Sequence, residues 1–209
     1  SGCFLSAISL VSLLVSIYSH DYMQLYLEDN VSWWGFCYNM FVLSMMLVVM
    51  VNNAVTFLIF WEIMTLTSYF LVTFGYRRNF VRKAGFIYIV MTHIGTVFII
   101  SAFILLGHTG RWDFAGLAGS SAALSPAVRS LIFGCALIGF GTKAGVVPLH
   151  VWLPLAHPAA PTNVSAVMSG VMLKTAIYGF VRVVIDILGV GPSWWGGVVL
   201  LIGVVSAVV

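Results

Sequence analysis

The stretch that decides the fold is Gly139–Arg182, which reads GFGTKAGVVPLHVWLPLAHPAAPTNVSAVMSGVMLKTAIYGFVR. Two lysines, Lys143 and Lys174, lie here in otherwise apolar sequence, on either side of a proline-rich segment with two histidines. A charge at bilayer depth costs several kcal/mol unless it is paired or hydrated. If the chain spans a membrane, both lysines are therefore candidate functional residues.

The composition indicates a membrane protein. Of 209 residues, 61% are hydrophobic and 7% are charged, whereas a soluble domain has about 25% charged residues. The five inner apolar segments approach or exceed the roughly 20 residues that a spanning helix needs. We therefore predict an all-α polytopic protein with about seven transmembrane segments. The segments are 3–18, 34–51, 54–76, 84–106, 125–147, 162–184 and 194–209.

Other features limit the function classes. The chain begins with Ser1 rather than Met and its last segment is apolar to the end, so we expect 1–209 to be one transmembrane domain of a longer protein. The net charge of +3, with no basic run among aromatics, argues against a nucleic-acid partner. The three cysteines lie in apolar segments without a CxxC pair, so we expect no metal, cofactor or catalytic residue in this chain.

Charge distribution predicts the orientation. The basic cluster within 77–83 places that loop in the cytoplasm by the positive-inside rule. Alternation then places 19–33 and 148–161 on the same side. The segments at 52–53, 107–124 and 185–193 would lie outside, with the Gly/Ser/Ala stretch at 115–125 as a flexible connector.

Glu62 is the acidic residue within the third segment. It lies about 12 Å into the helix at 1.5 Å per residue, and Thr65 and Tyr69 follow at i+3 and i+7. This polar stripe predicts a face toward the bundle interior or a wet cavity. A carboxylate that only locks two helices is the alternative, and we favour a functional role because a membrane glutamate is costly.

Lys174 lies about 18 Å into a helix that begins at Thr162, close to the bilayer midplane. A lysine near a carboxylate can load and release a proton when the neighbouring charge changes; a static counter-ion is the alternative. We expect five residues at i+4 spacing to form one slowly turning stripe. They are Ala166, Gly170, Lys174, Tyr178 and Arg182.

Lys143 lies among glycines and is followed by Pro148, which predicts a discontinuous helix with the lysine at the break. Counted from Ser125, the lysine lies beyond the midplane unless the helix tilts or the next segment re-enters the membrane. His93, with Thr96 at i+3, is either a proton relay or a helix–helix hydrogen bond. His150 and His157 either pass protons to the lysines or cap the connection, and for His150 we favour the relay.

Three motifs together resemble one family. They are WE at 61–62, TKAGVVPLHVWLPLAHPAAPT at 142–162 and SGVMLKTAIYGFVR at 169–182. Over residues 20–209 the chain is similar to the antiporter-like proton-channel family. That family contains the large membrane subunits of respiratory complex I, Mrp-type antiporters and membrane subunits of energy-converting hydrogenases.

Two further motifs point to one branch of this family. HPAAPTNVSAVMSGVMLKT at 157–175 and MTHIGT at 91–96 most resemble the large membrane subunit of hydrogenase-4 and formate hydrogenlyase. Many complex I relatives have an acidic residue where this chain has Leu155. Its absence favours the hydrogenase branch.

The resemblance implies two inverted five-helix repeats, with 34–184 as the first and the second absent. It implies that Glu62 pairs with the broken-helix lysine, Lys143, and that Lys174 connects onward. The implied function is proton conduction in a redox-driven complex of a prokaryotic inner (plasma) membrane. Other membrane subunits and a peripheral arm with nickel–iron and iron–sulfur centres would be the partners. A Mrp-type or stand-alone cation/proton antiporter, a complex I (NADH:quinone oxidoreductase) subunit and a purely structural anchor remain as alternatives.

Overall fold

The computed structural model describes residues 1–26 and 30–208, except for the side chain of Leu25. In this part of the chain the regular structure is helical apart from one isolated β-bridge, Asn53 with Asp113. The helices are α1 Gly2–Tyr22, α2 Val31–Met50, α3 Ala54–Val72, α4 Asn79–Leu106, α5 Phe114–Ser121, α6 Pro126–Ala144, α7 Leu153–Ala159, α8 Thr162–Ile187 and α9 Ser193–Val208.

Six of the described helices are long and apolar enough to cross a membrane, namely α1, α2, α3, α4, α6 and α8. Helix α9 is apolar but has 16 residues. Each predicted apolar segment overlaps one of these seven helices, which confirms the all-α polytopic fold. Helix α4 begins at Asn79, five residues before the predicted start at 84, and so includes Arg82 and Lys83. Arginine and lysine are good helix formers, and both side chains are exposed here.

Contacts between the helix ends group the connections into two sets. At one end the Tyr22 hydroxyl is 3.3 Å from Thr162 Oγ1. At the other end Ala54 N–H donates to the Trp112 carbonyl over 2.8 Å. Ser121 Oγ donates to the Ile187 carbonyl over 2.7 Å at that second end. These contacts group 19–33 with the end of 148–161, and 52–53 with 107–124 and 185–193, as predicted, while the cytoplasmic side of the 77–83 loop stays a prediction.

The prediction of a flexible connector at 115–125 was wrong, because most of this segment belongs to helix α5. The Asp113 carboxylate accepts from Gly116 N–H over 2.8 Å and caps the helix. This hydrogen bond also lowers the pKa of the Asp113 carboxyl. The Ala/Gly/Ser composition is typical of a linker, but alanine is the strongest helix former, and an aspartate cap begins the helix.

Gly139 brings α4 and α6 into close contact. A Cβ atom at this position would lie 2.5 Å from Ile99 Cγ1 and 2.8 Å from the Gly95 carbonyl oxygen. The sequence predicted that the glycines around Lys143 weaken the helix. Instead, α6 runs through Gly139 and Gly141 without interruption. The missing side chain at Gly139 allows α4 and α6 to cross at close distance.

The break follows directly after Lys143. Helix α6 ends at Ala144, and Gly145 has a φ of 74°, a left-handed conformation that favours glycine. Turns that include Pro148 lead to the short helix α7. This arrangement confirms the predicted discontinuous helix and places its break beside the buried lysine.

We expect Gly139→Ala in the full-length protein to lower the free energy of unfolding by about 1–3 kcal/mol, because the added methyl overpacks the α4–α6 contact. Gly134→Ala is the matched control on the same helix, since a Cβ there has nothing within 4 Å. That change should be neutral or stabilise by up to about 1 kcal/mol. Thermal unfolding in detergent measures both, and equal destabilisation would contradict the close crossing.

Candidate functional site

The Lys143 ammonium is held by hydroxyl groups from two other helices. Lys143 Nζ lies 3.0 Å from Thr65 Oγ1 on α3 and 3.0 Å from the Tyr88 hydroxyl on α4. Lys143 is only 2% exposed. A buried ammonium needs hydrogen-bond acceptors, and this one is bound where α3, α4 and α6 meet.

A second layer of contacts positions these partners. The Tyr88 hydroxyl lies 2.6 Å from Ser68 Oγ, one turn along α3 from Thr65. The indole of Trp152, just before α7, packs on the Tyr88 ring at 5.0 Å. The Trp152 Nε1–H donates to the Thr142 carbonyl over 2.7 Å. The broken segment thus closes over the lysine and satisfies a carbonyl near the end of α6.

The partners also indicate the depth of Lys143. Its backbone lies near the end of α6, but helical side chains point back toward the N-terminus of their helix. Its partner Thr65 belongs to the middle part of α3, which spans Ala54–Val72. The ammonium therefore reaches back toward the middle of the bundle.

Glu62 contacts His93 rather than Lys143. His93 Nε2 lies 3.5 Å from Glu62 Oε2, and His93 Nδ1 lies 2.9 Å from the Ile89 carbonyl. The carbonyl can only accept, so Nδ1 carries a proton. A further proton on Nε2 or on the carboxyl then lets the two groups attract each other. This geometry defines a pair that can share a proton.

The Glu62–Lys143 ion pair that the resemblance implied is not formed as a direct contact in the part of the chain that the structure describes. Thr65, one helical turn after Glu62, takes the position next to the ammonium. The second carboxylate oxygen of Glu62, Oε1, is buried without a hydrogen-bond partner among the described residues.

Lys174 and Tyr178 do not share the face that the sequence predicted. Lys174 is exposed, and its ammonium donates to the Ser169 carbonyl in a π-helical turn, Met168–Met172. Tyr178 is buried, and its hydroxyl donates to the Val49 carbonyl over 3.1 Å. Four residues rotate about 40° past one helical turn, which is enough at the edge of a face to separate the two side chains.

The two histidines of the connection lie in different environments. His157 Nδ1 is 2.6 Å from Ser165 Oγ, so this residue ties α7 to α8, and burial lowers the pKa of its imidazole. His150 lies in the turns before α7, and its Nδ1 is buried without a hydrogen-bond partner among the described residues. Thr96, the predicted companion of His93, donates to the Thr92 carbonyl of its own helix.

Tyr88 and Ser68 were missed by the sequence reasoning. Both are fully buried, and Tyr88 contacts the lysine directly. A signal was present, because Tyr88, Thr92 and Thr96 follow at i+4 spacing and form a polar stripe on the buried face of α4. The sequence pattern therefore marked Tyr88 as part of a buried polar stripe, but it did not show that Tyr88 contacts Lys143.

A bundle of membrane-spanning helices with a buried lysine beside a helix break is typical of proteins that move ions across membranes. Residues 51–209 match the model of the NADH:quinone oxidoreductase/Mrp antiporter transmembrane family, and the chain belongs to that family.

Two curated relatives show how the chain compares within the family. The chain is 41% identical over 210 residues to hydrogenase-4 component B of Escherichia coli (strain K12), which covers 99% of this chain and 31% of that protein. It is 35% identical over 157 residues to NADH-quinone oxidoreductase subunit N of Deinococcus radiodurans, a match that covers 73% of this chain and 32% of that protein. The chain therefore spans about a third of the length of these relatives. The resemblance to the hydrogenase-4 membrane subunit is confirmed.

A solved structure shares the fold. A chain of the membrane-bound sulfane sulfur reductase, an archaeal respiratory membrane complex, superimposes with a TM-score of 0.82. The match covers 93% of this chain and 39% of that chain at 22% identity. At this identity the likeness shows the helical arrangement alone.

We expect Thr65→Val in the full-length protein to lower the free energy of unfolding by about 1–3 kcal/mol, because a buried donor of Lys143 loses its acceptor. Thr67→Val is the matched control, since the Thr67 hydroxyl donates to the carbonyls of Ile63 and Met64 in its own helix. Chemical denaturation in detergent compares the two variants. A loss at Thr67 as large as that at Thr65 would contradict a specific role for the lysine contact.

The lowered pKa of His157 predicts an acid-labile connection. In the unfolded chain the pKa of a histidine is about 6.5, which is above the pKa of His157 in the folded protein. As the pH falls, the unfolded chain therefore binds the proton before the folded protein does. The stability that neutral His157 gives is present above that value and decreases below it. His157→Gln should therefore show a smaller fall in melting temperature than the parent between about pH 7.5 and 5.5. His108→Gln, at an exposed position, should keep the parental slope; an unchanged slope in His157→Gln would contradict the expectation.

Proposed function

We propose that the chain is part of the membrane subunit of a redox-driven, proton-translocating complex of the hydrogenase-4 type, related to complex I. The observation that carries this proposal is the buried Lys143 ammonium beside a helix break, in contact with hydroxyl groups of two other helices. A lysine buried to this degree is costly as a structural element. A group that takes up and releases a proton accounts for both its burial and its partners.

The hydroxyl groups around Lys143 suit proton movement. Hydroxyls donate and accept hydrogen bonds by simple rotation, so Thr65, Tyr88 and Ser68 can exchange roles as the lysine changes charge. The Tyr88 hydroxyl is within hydrogen-bond distance of both Lys143 and Ser68. In the proposal this short chain of groups stabilises both protonation states of the lysine.

The Glu62–His93 pair is the proposed input of the relay. At an effective dielectric constant of about 20, two unit charges about 4 Å apart interact by about 4 kcal/mol, and the energy falls in inverse proportion to their distance. Moving one charge across about 100 mV takes about 2.3 kcal/mol. A proton gained or lost by this pair therefore changes the energy of a nearby ammonium by the amount that transport against a membrane potential needs.

Lys174 is the proposed onward site. Its helix α8 packs against α6, which carries Lys143, and its ammonium is on the exposed face. We assign to Lys174 the transfer of protons toward further membrane segments, with 34–184 as the first of two repeats. His150 is the proposed entry from the connection between α6 and α8.

The proposed partners are other membrane subunits and a peripheral redox arm with nickel–iron and iron–sulfur centres, in the inner (plasma) membrane of a prokaryote. The similarity to hydrogenase-4 component B and the fold shared with a chain of a respiratory membrane complex support this assignment. A complex I-type redox arm is the second candidate, favoured by the similarity to NADH-quinone oxidoreductase subunit N.

The test is to replace Glu62, Lys143 and Lys174 singly by glutamine in the full-length protein within its complex. Proton translocation in membrane vesicles, followed with a pH-sensitive dye during electron transfer, should fall about tenfold or more, because each change removes a charge from the relay. The complex should still assemble. Arg111→Gln is the control, since Arg111 is exposed beside Asp113 in a connection.

Other outcomes separate the alternatives. Equal losses at Arg111 and Lys174 would contradict a specific pathway. Unchanged translocation in all three variants would favour a structural anchor. Proton movement driven by a sodium or potassium gradient without an electron donor would instead favour the cation/proton antiporter, which the family also contains.

A further inference from the structure

A polar cavity lies at one end of the bundle, away from Lys143. Its volume is about 390 Å³, and it lies where α1 ends, α3 connects to α4 and α8 begins. Tyr22 and Tyr26 form one wall, Arg77 and Arg78 a second, and the backbone of 158–162 a third.

The two arginines bring positive charge to the cavity. Both are exposed, and neither has a carboxylate within 4.0 Å in the described ranges 1–26 and 30–208. Other arginines of the chain are engaged: Arg111 and Arg182 pair with Asp113 and Asp186. The guanidinium groups of Arg77 and Arg78 are therefore available to an anion.

The opposite wall supplies hydroxyl groups. The Tyr22 hydroxyl donates to Thr162 Oγ1 over 3.3 Å and accepts from Thr162 N–H over 3.3 Å. The Tyr22 and Tyr26 hydroxyls lie 3.3 Å apart. The guanidinium groups match the oxygens of a phosphate, which arginine binds through two parallel N–H donors, and the hydroxyls make this wall of the cavity polar.

The position in the fold indicates the source of the phosphate. The cavity lies at the ends of four candidate membrane spans, α1, α3, α4 and α8, where lipid headgroups meet water. A neighbouring cavity of about 430 Å³ shares Arg77 and is lined by Trp33, Phe70 and Tyr76. These aromatic side chains are exposed and suit the boundary between headgroup and acyl chains.

We propose that the cavity at Arg77 and Arg78 binds the phosphate group of an anionic phospholipid headgroup, with the acyl chains along the aromatic side chains of the neighbouring cavity. A phospholipid is favoured over an acidic protein surface, because it brings acyl chains that can lie along the exposed aromatic side chains of the neighbouring cavity. The site is independent of the proposed proton relay.

The test uses the full-length protein in its complex, purified in detergent, delipidated and titrated with phosphatidylglycerol under native mass spectrometry. At about 1 kcal/mol for each basic residue near a membrane surface, Arg77→Gln/Arg78→Gln should weaken binding of one lipid about 30-fold. Arg77→Lys/Arg78→Lys should retain most of the affinity. Lys83→Gln is the matched control from the same basic cluster, because Lys83 is exposed and lines neither cavity.

Two further titrations identify the source. Phosphatidylcholine should bind this site more weakly than phosphatidylglycerol, because it carries no net charge. Competition by inorganic phosphate at equal concentration would support a phosphate site but assign it to a soluble anion. Unchanged lipid binding in the double glutamine variant, or an equal loss in Lys83→Gln, would overturn the proposal. So would loss of a neighbouring subunit with the lipid retained, which would assign the arginines to an acidic protein surface.

Discussion

The burial of the Lys143 ammonium is the constraint on which the rest of the structure depends. An isolated cation in an apolar interior is strongly unfavourable, so α3, α4 and α6 must meet where Thr65 and Tyr88 can contact the lysine. The close approach of α4 and α6 at Gly95 and Gly139 makes this possible. Removing the space at Gly139 would therefore act on the site as well as on the packing.

The helix break serves the same constraint. Unpaired backbone carbonyls are tolerated at membrane depth only where protein or water satisfies them. Here the Trp152 indole donates to the Thr142 carbonyl, and the same ring covers Tyr88. The Trp152 side chain thus pairs with a carbonyl near the end of α6 and also packs on the tyrosine that contacts the lysine. The break is part of the site, and its turns connect the lysine to His150.

The sequence predicted the helices and the charged residues of the site, but not their contacts. Glu62 and Lys143 were identifiable because charge is rare in apolar segments. Tyr88 was not, since its approach to Lys143 depends on where α4 crosses α6, and one chain's periodicity does not specify a crossing. The direct Glu62–Lys143 contact that the resemblance implied is not formed among the described residues, where Glu62 contacts His93. The separation of Lys174 from Tyr178 depends on a rotation of about 40° and on which neighbouring helices cover α8.

The indirect arrangement of Glu62 and Lys143 suits the proposed relay better than a contact ion pair. At an effective dielectric constant of about 20, two charges about 4 Å apart interact by about 4 kcal/mol, and at about 8 Å by about 2 kcal/mol. A contact pair would hold the lysine in its charged state against a potential of about 100 mV, which supplies only about 2.3 kcal/mol. Here Thr65 lies beside the ammonium and His93 beside the glutamate, so the two charges are not in direct contact. Each can then change protonation without breaking the other's hydrogen bonds.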